Sequence, residues 1–129
     1  MSVSPRDLLR EARDIAARAD VETARRTAIS KAYYAAYHGA KRYHDLLPKP
    51  GRSKANVGEH DNLIHQLQHP DQTLSAEERK RSMVAGGLLL RLRPMRIRAD
   101  YELQAEVSVP DVGDAIELAA QTLNLVDPK

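Results

Sequence analysis

The chain has 129 residues, 42% hydrophobic and 29% charged, which suits one domain with a real core and is too short for two. It has no cysteine, which excludes a disulfide framework, a thiolate nucleophile and a cysteine-based zinc site. The net charge of +2 conceals segregation: residues 1–54 carry twelve Lys/Arg against six acids and 79–98 seven against none, while 55–78 carry five acids and no Lys/Arg, and 99–129 seven acids against Lys129 alone.

Such segregation either builds a basic face for phosphate backbones or lets basic and acidic helices pair within one bundle. No apolar run approaches the ~20 residues that span a bilayer, so no membrane association is expected. The opening MSVSPRDLLREARD has no apolar core and carries acids early, unlike a signal peptide. A cytoplasmic location is the expectation.

Ser4-Pro5 reads as the start of a first helix, Ser as N-cap and Pro at the first helical position. Leu8, Leu9, Ala12, Ile15, Ala16 and Ala19 form its apolar stripe, and it should run to about Ala19. Asp20 is the expected cap of a second helix reaching Leu47, stopped by Pro48-Lys-Pro50-Gly51.

The core of that second helix, Thr27–Tyr43, organises the chain. Ala28, Ala32, Ala36 and Ala40 recur every four residues, a smooth stripe that admits a neighbouring helix backbone. Four of the five tyrosines lie here, and the chain has no Phe or Trp. Tyr33, Tyr34, Tyr37 and His38 are candidates to line a polar groove or an interface. The competing reading is that the rings pack and at least two of the four hydroxyls are satisfied within the bundle.

Residues 48–58 read as an exposed, mobile loop, and 58–69 as a short helix with Leu63, Ile64 and Leu67 inward. His65 and His69 could share a divalent metal, but two surface histidines near a helix C-terminus need none. No metal and no cofactor are expected. Ser75-Ala-Glu-Glu78 is a capping box that opens a fourth helix, expected to end near Leu92 before Pro94 with Met83, Val84, Leu88, Leu89 and Leu92 inward. Gly86-Gly87 inside it should allow close approach to the alanine stripe. Met95–Leu103 reads as an irregular segment along the bundle, and a fifth helix runs from about Asp111 to Leu125, with Val112, Ala115, Ile116, Ala119 and Leu123 inward. The sum is an all-α, up-and-down bundle of four to five helices forming a single domain over residues 1–129.

Catalytic patterns are sparse. Ser30, His38 and Asp45 sit on one helix with no strained turn to present the serine. PKPGRSK has one glycine and no preceding strand, which excludes a Walker-type phosphate loop. Arg91, Arg93, Arg96 and Arg98 with Asp100 and Tyr101 are different: one adjacent acid cannot pair four guanidiniums. These arginines are candidate phosphate ligands, with Asp100 orienting one of them.

ARRTAISKAYYAAYHGAKRY after a short first helix, followed later by RLRPMRIRADYEL, resembles the HEPN family of small prokaryotic helical proteins. The resemblance covers nearly the whole chain. It implies a bundle that dimerises, with RNA- or nucleotide-related roles. Many members are metal-independent ribonucleases in toxin–antitoxin or defence systems, often beside a nucleotidyltransferase-type partner protein. Catalytic members carry Arg, four to six residues, then His. Here the matching positions after Arg93 or Arg96 are Asp100 and Tyr101, and no His follows His69. An aspartate is ionised near neutrality unless its surroundings raise its pKa by several units, so Asp100 is a poor proton donor there.

The expectation is therefore a homodimeric HEPN-like binding module for RNA, a nucleotide or a partner protein, without efficient catalysis. Arg91, Arg93, Arg96 and Arg98 would contact phosphate. The enzyme alternative is a ribonuclease centred on Arg96 with Asp100 and Tyr101, or with His38 or His44 recruited from the second helix. A third reading is a helical scaffold or antitoxin-like subunit with the alanines and tyrosines at its interface.

Overall fold

The computed structural model describes residues 3–18 and 20–128. They form five helices: α1 Pro5–Arg18, α2 Glu22–Asp45, α3 Glu59–Gln68, α4 Ala76–Tyr101 and α5 Val109–Val126. No strand occurs among the described residues. The all-α bundle is as the periodicity indicates. α2 is the central element, packed on α1, α4 and α5, while α3 lies mainly on α4. No helix among the described residues is long and apolar enough to cross a membrane.

The alanine stripe does what its spacing implies. Ala28, Ala32, Ala36 and Ala40 are fully buried at the centre of the core, joined by Ala35. Continuing the close approach, a Cβ at Gly39 would lie 2.4 Å from Leu123 Cδ2 of α5. Leu9 and Ala12 of α1, and Val112, Ala115, Ala119 and Leu123 of α5, are buried; Leu8, Ile15, Ala16 and Ile116 pack at the margin. Ala19 lies outside the described residues.

Reciprocal caps open α4 and α5. Ser75 Oγ accepts from the Glu78 amide at 3.0 Å and Glu78 Oε1 from the Ser75 amide at 3.1 Å. Ser108 and Asp111 form a second box, so α5 begins at Val109, two residues ahead of the expected start. The cap of α2 is Val21, not Asp20, and it makes no side-chain hydrogen bond. Glu22 serves elsewhere: its Oε1 accepts from the Val107 amide at 2.8 Å.

The largest departure from the sequence reading is at Pro94. α4 does not stop near Leu92 but continues to Tyr101, so Met95–Tyr101 is helical, not irregular. Pro94 is exposed, which turns the Leu90 carbonyl it leaves without a helical partner towards water. Beyond it the helix is held from outside. Arg26 of α2, only 9% exposed, donates from Nη1 to the carbonyls of Arg98, Ala99 and Glu102 at 3.0, 2.9 and 3.2 Å. Its Nη2 reaches the Leu103 carbonyl at 3.5 Å and that of Ala105. One guanidinium thus closes the C-terminus of α4 and ties down the turn that follows.

Three further expectations change. Leu88, Leu89 and Leu92 are inward as expected, but Met83 and Val84 are exposed, because their turn of the helix buries Ser82 and Ala85. Gly86 meets α3, not the alanine stripe: its Cβ would lie 2.8 Å from Gln68 Cγ and 3.0 Å from Leu67 Cβ. Ser82, one turn earlier, donates to the Leu67 carbonyl at 2.7 Å on the same seam. Gly87 has nothing within 4 Å of an added Cβ, so its helix cost of ~1 kcal/mol relative to alanine has no return inside this fold.

The loop after α2 is exposed apart from half-buried Leu47 and buried Gly51, but it is pinned. The Gly51 amide donates to buried His44 Nε2 at 3.0 Å, and Gln66 Nε2 donates to the Gly51 carbonyl at 3.2 Å. The Arg52 amide reaches the His69 carbonyl at 3.0 Å. A Cβ at Gly51 would fall 1.9 Å from the Gln66 carbonyl oxygen, so no other residue fits without moving α3.

Replacement of Arg26 by Ala should lower the unfolding free energy by about 3 kcal/mol, because carbonyls at 98–105 lose a charged donor and Glu22 loses its partner. Arg26→Lys should cost less than Arg26→Ala but still more than ~1 kcal/mol, since an ammonium cannot fork across those carbonyls. Urea titration of the three proteins measures both. An Arg26→Ala midpoint within error of wild type would remove this guanidinium from the account of the fold.

Candidate functional site

Three elements converge: the middle of α2, the first turn of α3 and the last three turns of α4. α2 supplies Tyr33, Tyr34, Tyr37 and His38, which successive helical turns bring to adjoining faces. α3 supplies Glu59, His60 and Asp61. α4 supplies Arg93, Arg96, Asp100 and Tyr101.

His60 is the residue the sequence reading missed. Its ring stacks on Tyr37 with centroids 4.1 Å apart and on Tyr33 at 5.5 Å. Its Nδ1 lies 2.7 Å from the Tyr33 hydroxyl. Tyr34 meets Tyr33 edge-on at 5.8 Å and stacks on His38 at 6.0 Å. The four residues do come together, with an imidazole from another helix among them. Tyr33 and Tyr37, however, are buried core with satisfied hydroxyls, as the packed reading had it, and only Tyr34 and His38 reach the surface.

Arg96 lies against this cluster. Its guanidinium carbon is 5.3 Å from the centroid of Tyr34, 5.2 Å from that of Tyr101 and 5.9 Å from that of Tyr33. Such placement suits a weakly hydrated, delocalised cation. Nη2 donates to the Tyr34 hydroxyl at 2.8 Å and, at 3.5 Å, to that of Tyr101. Nε is 2.8 Å from Asp100 Oδ2, a charge contact too poorly aligned to count as a hydrogen bond. Asp100 is steadied from α2, where Ser30 Oγ donates to the same oxygen at 3.3 Å. Arg93, one turn before, donates from Nε to Asp61 Oδ1 at 3.1 Å, and its buried Nη1 has no hydrogen-bond partner among the described residues.

All four tyrosine hydroxyls of α2 are engaged. Besides Tyr33 and Tyr34, Tyr37 donates to Glu59 Oε1 at 3.1 Å and Tyr43 to the Glu78 carbonyl at 3.2 Å. Burial pushes the Tyr33 hydroxyl up to about 12 against the opposing pull of Arg93 and Arg96. Burial and then Glu59 raise that of Tyr37 still further. Both phenols remain protonated donors. Burial also lowers the pKa of His60, and the positive charges of Arg93 and Arg96 lower it more. Near neutrality His60 is therefore an uncharged imidazole beside two guanidiniums, the protonation state in which it can accept a proton.

The four arginines do not form one grip. Continuing the helix through Pro94 puts Arg93 and Arg96 one turn apart on the aromatic side and turns Arg91 and Arg98 outward on another. Arg91 and Arg98 are exposed and form no ion pair within 4.0 Å among the described residues. His65 and His69 stack at 4.0 Å, and their Nδ1 atoms meet the carbonyls of Arg52 and His65, each at 2.8 Å. Among the described residues no three His, Asp or Glu side chains are grouped to hold a metal ion.

His44 and His60 both have depressed pKa values with burial as the first cause. Each takes up its proton more readily in the unfolded chain. Stability linked to them is complete above the unfolded value, near 6.5, and is lost as pH falls from there towards the lower folded value. The urea midpoint should therefore drop between pH 7.5 and pH 5, with the drop reduced in His44→Gln. A midpoint that rises on acidification over that range would contradict the assignment.

Compared with family models, with curated proteins and with solved structures, the chain gives no match.

Proposed function

We propose that this chain is an HEPN-like binding module, and that its ligand site is the Arg93–Arg96 side of α4 facing the tyrosines of α2. The ligand is a phosphate-bearing one, RNA or a nucleotide, in a toxin–antitoxin or defence setting. The observation that carries the reading is the pair of guanidiniums itself. Arg96 is pre-set by three aromatic rings and two tyrosine hydroxyls, and Arg93 beside it keeps a buried N–H donor with no partner. A phosphate oxygen would satisfy that donor once Arg93 swings out from Asp61, since the atom is buried in the arrangement seen. Asp61, whose side chain is more than half exposed, can yield to a phosphate with little rearrangement. Bases of a single strand would find Tyr34, Tyr101 and His38 as stacking surfaces.

A ribonuclease is the second reading, favoured by His60 alone. The sequence pattern lacks a histidine after the arginines, yet α3 delivers an uncharged one beside them. In such an enzyme His60 would take the proton of the 2′-hydroxyl as its oxygen attacks phosphorus, and Arg96 would stabilise the charge on the pentavalent phosphate. The bond to the 5′-oxygen would break, with that oxygen taking a proton from water, to leave a 2′,3′-cyclic phosphate. The expected homodimer would bring a second copy of this site.

Single-stranded RNA should bind wild type with an affinity that falls as salt rises, with a log–log slope near −1.4 for two phosphate contacts. Arg96→Ala should weaken binding about tenfold to a hundredfold, the worth of charged hydrogen bonds, and flatten that slope. Absence of RNA and nucleotide binding at low salt, or an Arg96→Ala protein that binds as wild type, would refute the phosphate site. Cleavage of the same RNA by wild type but not by His60→Ala would replace the binding module with the ribonuclease.

A further inference from the structure

The outer side of α4 carries a second feature, which meets the ligand site only at Tyr101. Met83, Gly87, Leu90, Pro94 and Ile97 follow one another in alternating steps of four and three residues, and Tyr101 continues the series. That spacing keeps them within one narrow stripe along roughly 27 Å of helix. Met83 is 53% exposed, Leu90 52% and Tyr101 66%. A surface helix of an isolated bundle has no use for a heptad seam on its solvent side.

Gly87 gives independent support. It sits in the seam, lowers the helix propensity of α4, and has only open space around the place of its Cβ. Gly86 next to it shows the contrast, since α3 occupies the space that a side chain there would need. A glycine with no neighbour inside the fold, centred in an exposed apolar stripe, fits the close passage of another helix backbone.

Charge decides between occupants. Lys80, Arg91 and Arg98 line one edge of the seam, all exposed and none in an ion pair within 4.0 Å among the described residues. An antiparallel two-fold pairing of two copies of α4 would set this basic edge against itself. An acidic helix would meet it with opposite charge. From the stripe, the unexplained glycine and the basic edge, we infer that the outer face of α4 is a docking site for an acidic amphipathic helix of a partner protein.

The probe is a three-heptad peptide of about 21 residues with Leu at a and d and Glu at e and g, followed by fluorescence anisotropy against the full chain. A control peptide carries Lys at e and g. The Glu peptide should bind wild type, more weakly as salt rises, and the Lys peptide should not. Leu90→Ser and Gly87→Leu should each weaken binding about tenfold or more. Gly87→Leu should also leave thermal stability equal or higher, since the new side chain meets nothing in the monomer; a substitution that strengthens the fold and weakens binding separates docking from folding. Arg93 pairs with Asp61 of α3 and not with Tyr101, so Arg93→Ala should bind the peptide as wild type does, keeping this face distinct from the phosphate site.

Equal binding of both peptides, binding of neither, or full binding by Gly87→Leu would overturn the inference. So would a wild-type dimer in light scattering that Leu90→Ser dissociates, which would assign the face to a second copy. Displacement of the peptide from Arg93→Ala, whose phosphate site is weakened, by an equal concentration of single-stranded RNA would assign it to nucleic acid instead.

Discussion

The guanidinium of Arg26 is the contact on which the rest of the molecule depends. A helix that passes through proline loses one hydrogen bond and gains a steric clash, a combined cost of ~3 kcal/mol in an ordinary interior. α4 carries that burden seven residues before its end, where fraying would be easiest. Arg26 reverses the balance by gathering the carbonyls of Arg98, Ala99, Glu102, Leu103 and Ala105 from a buried position on α2. Together with the burial of Ala99 and the Ser30–Asp100 hydrogen bond, it keeps Asp100 and Tyr101 on the helix beside Arg96. The candidate site thus begins with a residue that touches no part of it.

A second tether works from the opposite side. His44 lies two helical turns beyond Tyr37 on α2 and accepts from the Gly51 amide, which fixes where the chain turns back towards α3. Gln66 and Asn62 then hold the same loop from α3 itself. The outcome is the position of His60 between Tyr33 and Tyr37. Both tethers are buried polar groups on α2, the helix with the alanine stripe. The small residues let neighbouring helices come close, and the polar ones determine which parts of those helices arrive at the site.

How much of this could be read in advance follows from the range of each interaction. The helices, the alanine stripe and the Ser75–Glu78 box depend on residues within one or two turns of each other, and the sequence shows them directly. Pro94 misled because its local rule is sound and was overruled by Arg26, 68 positions earlier in the chain. The same override split the arginines: as a loose segment RLRPMRIR could close on one phosphate, whereas as a helix it must alternate faces. Asp100 fared better, since its role beside Arg96 is an i, i+4 relation. His60 lacked any local signal. A histidine in the first turn of a polar helix is unremarkable until the tyrosines of α2 lie against it. Arg26 likewise looked like one basic residue among many, although an arginine between Ala24 and Ala28 on the stripe's margin was a hint that its charge would be drawn inward.

One helix now carries two unlike surfaces, and Tyr101 belongs to both. Its ring lies under the Arg96 guanidinium, and its position completes the exposed stripe that starts at Met83. A helix laid along the stripe would cover the outer face of that ring and shield the cation–π contact from water, where such contacts are strongest. An anion at Arg96 would in turn draw the guanidinium towards itself and alter the surface that Tyr101 offers to the outside. Thermodynamic linkage makes any such effect equal in both directions: whatever a docked helix does to phosphate affinity, phosphate must do to the docking of the helix. The continuity of α4 through Pro94 is what creates this dependence, since a helix ending at Leu92 would have left the two surfaces on separate, independently moving segments.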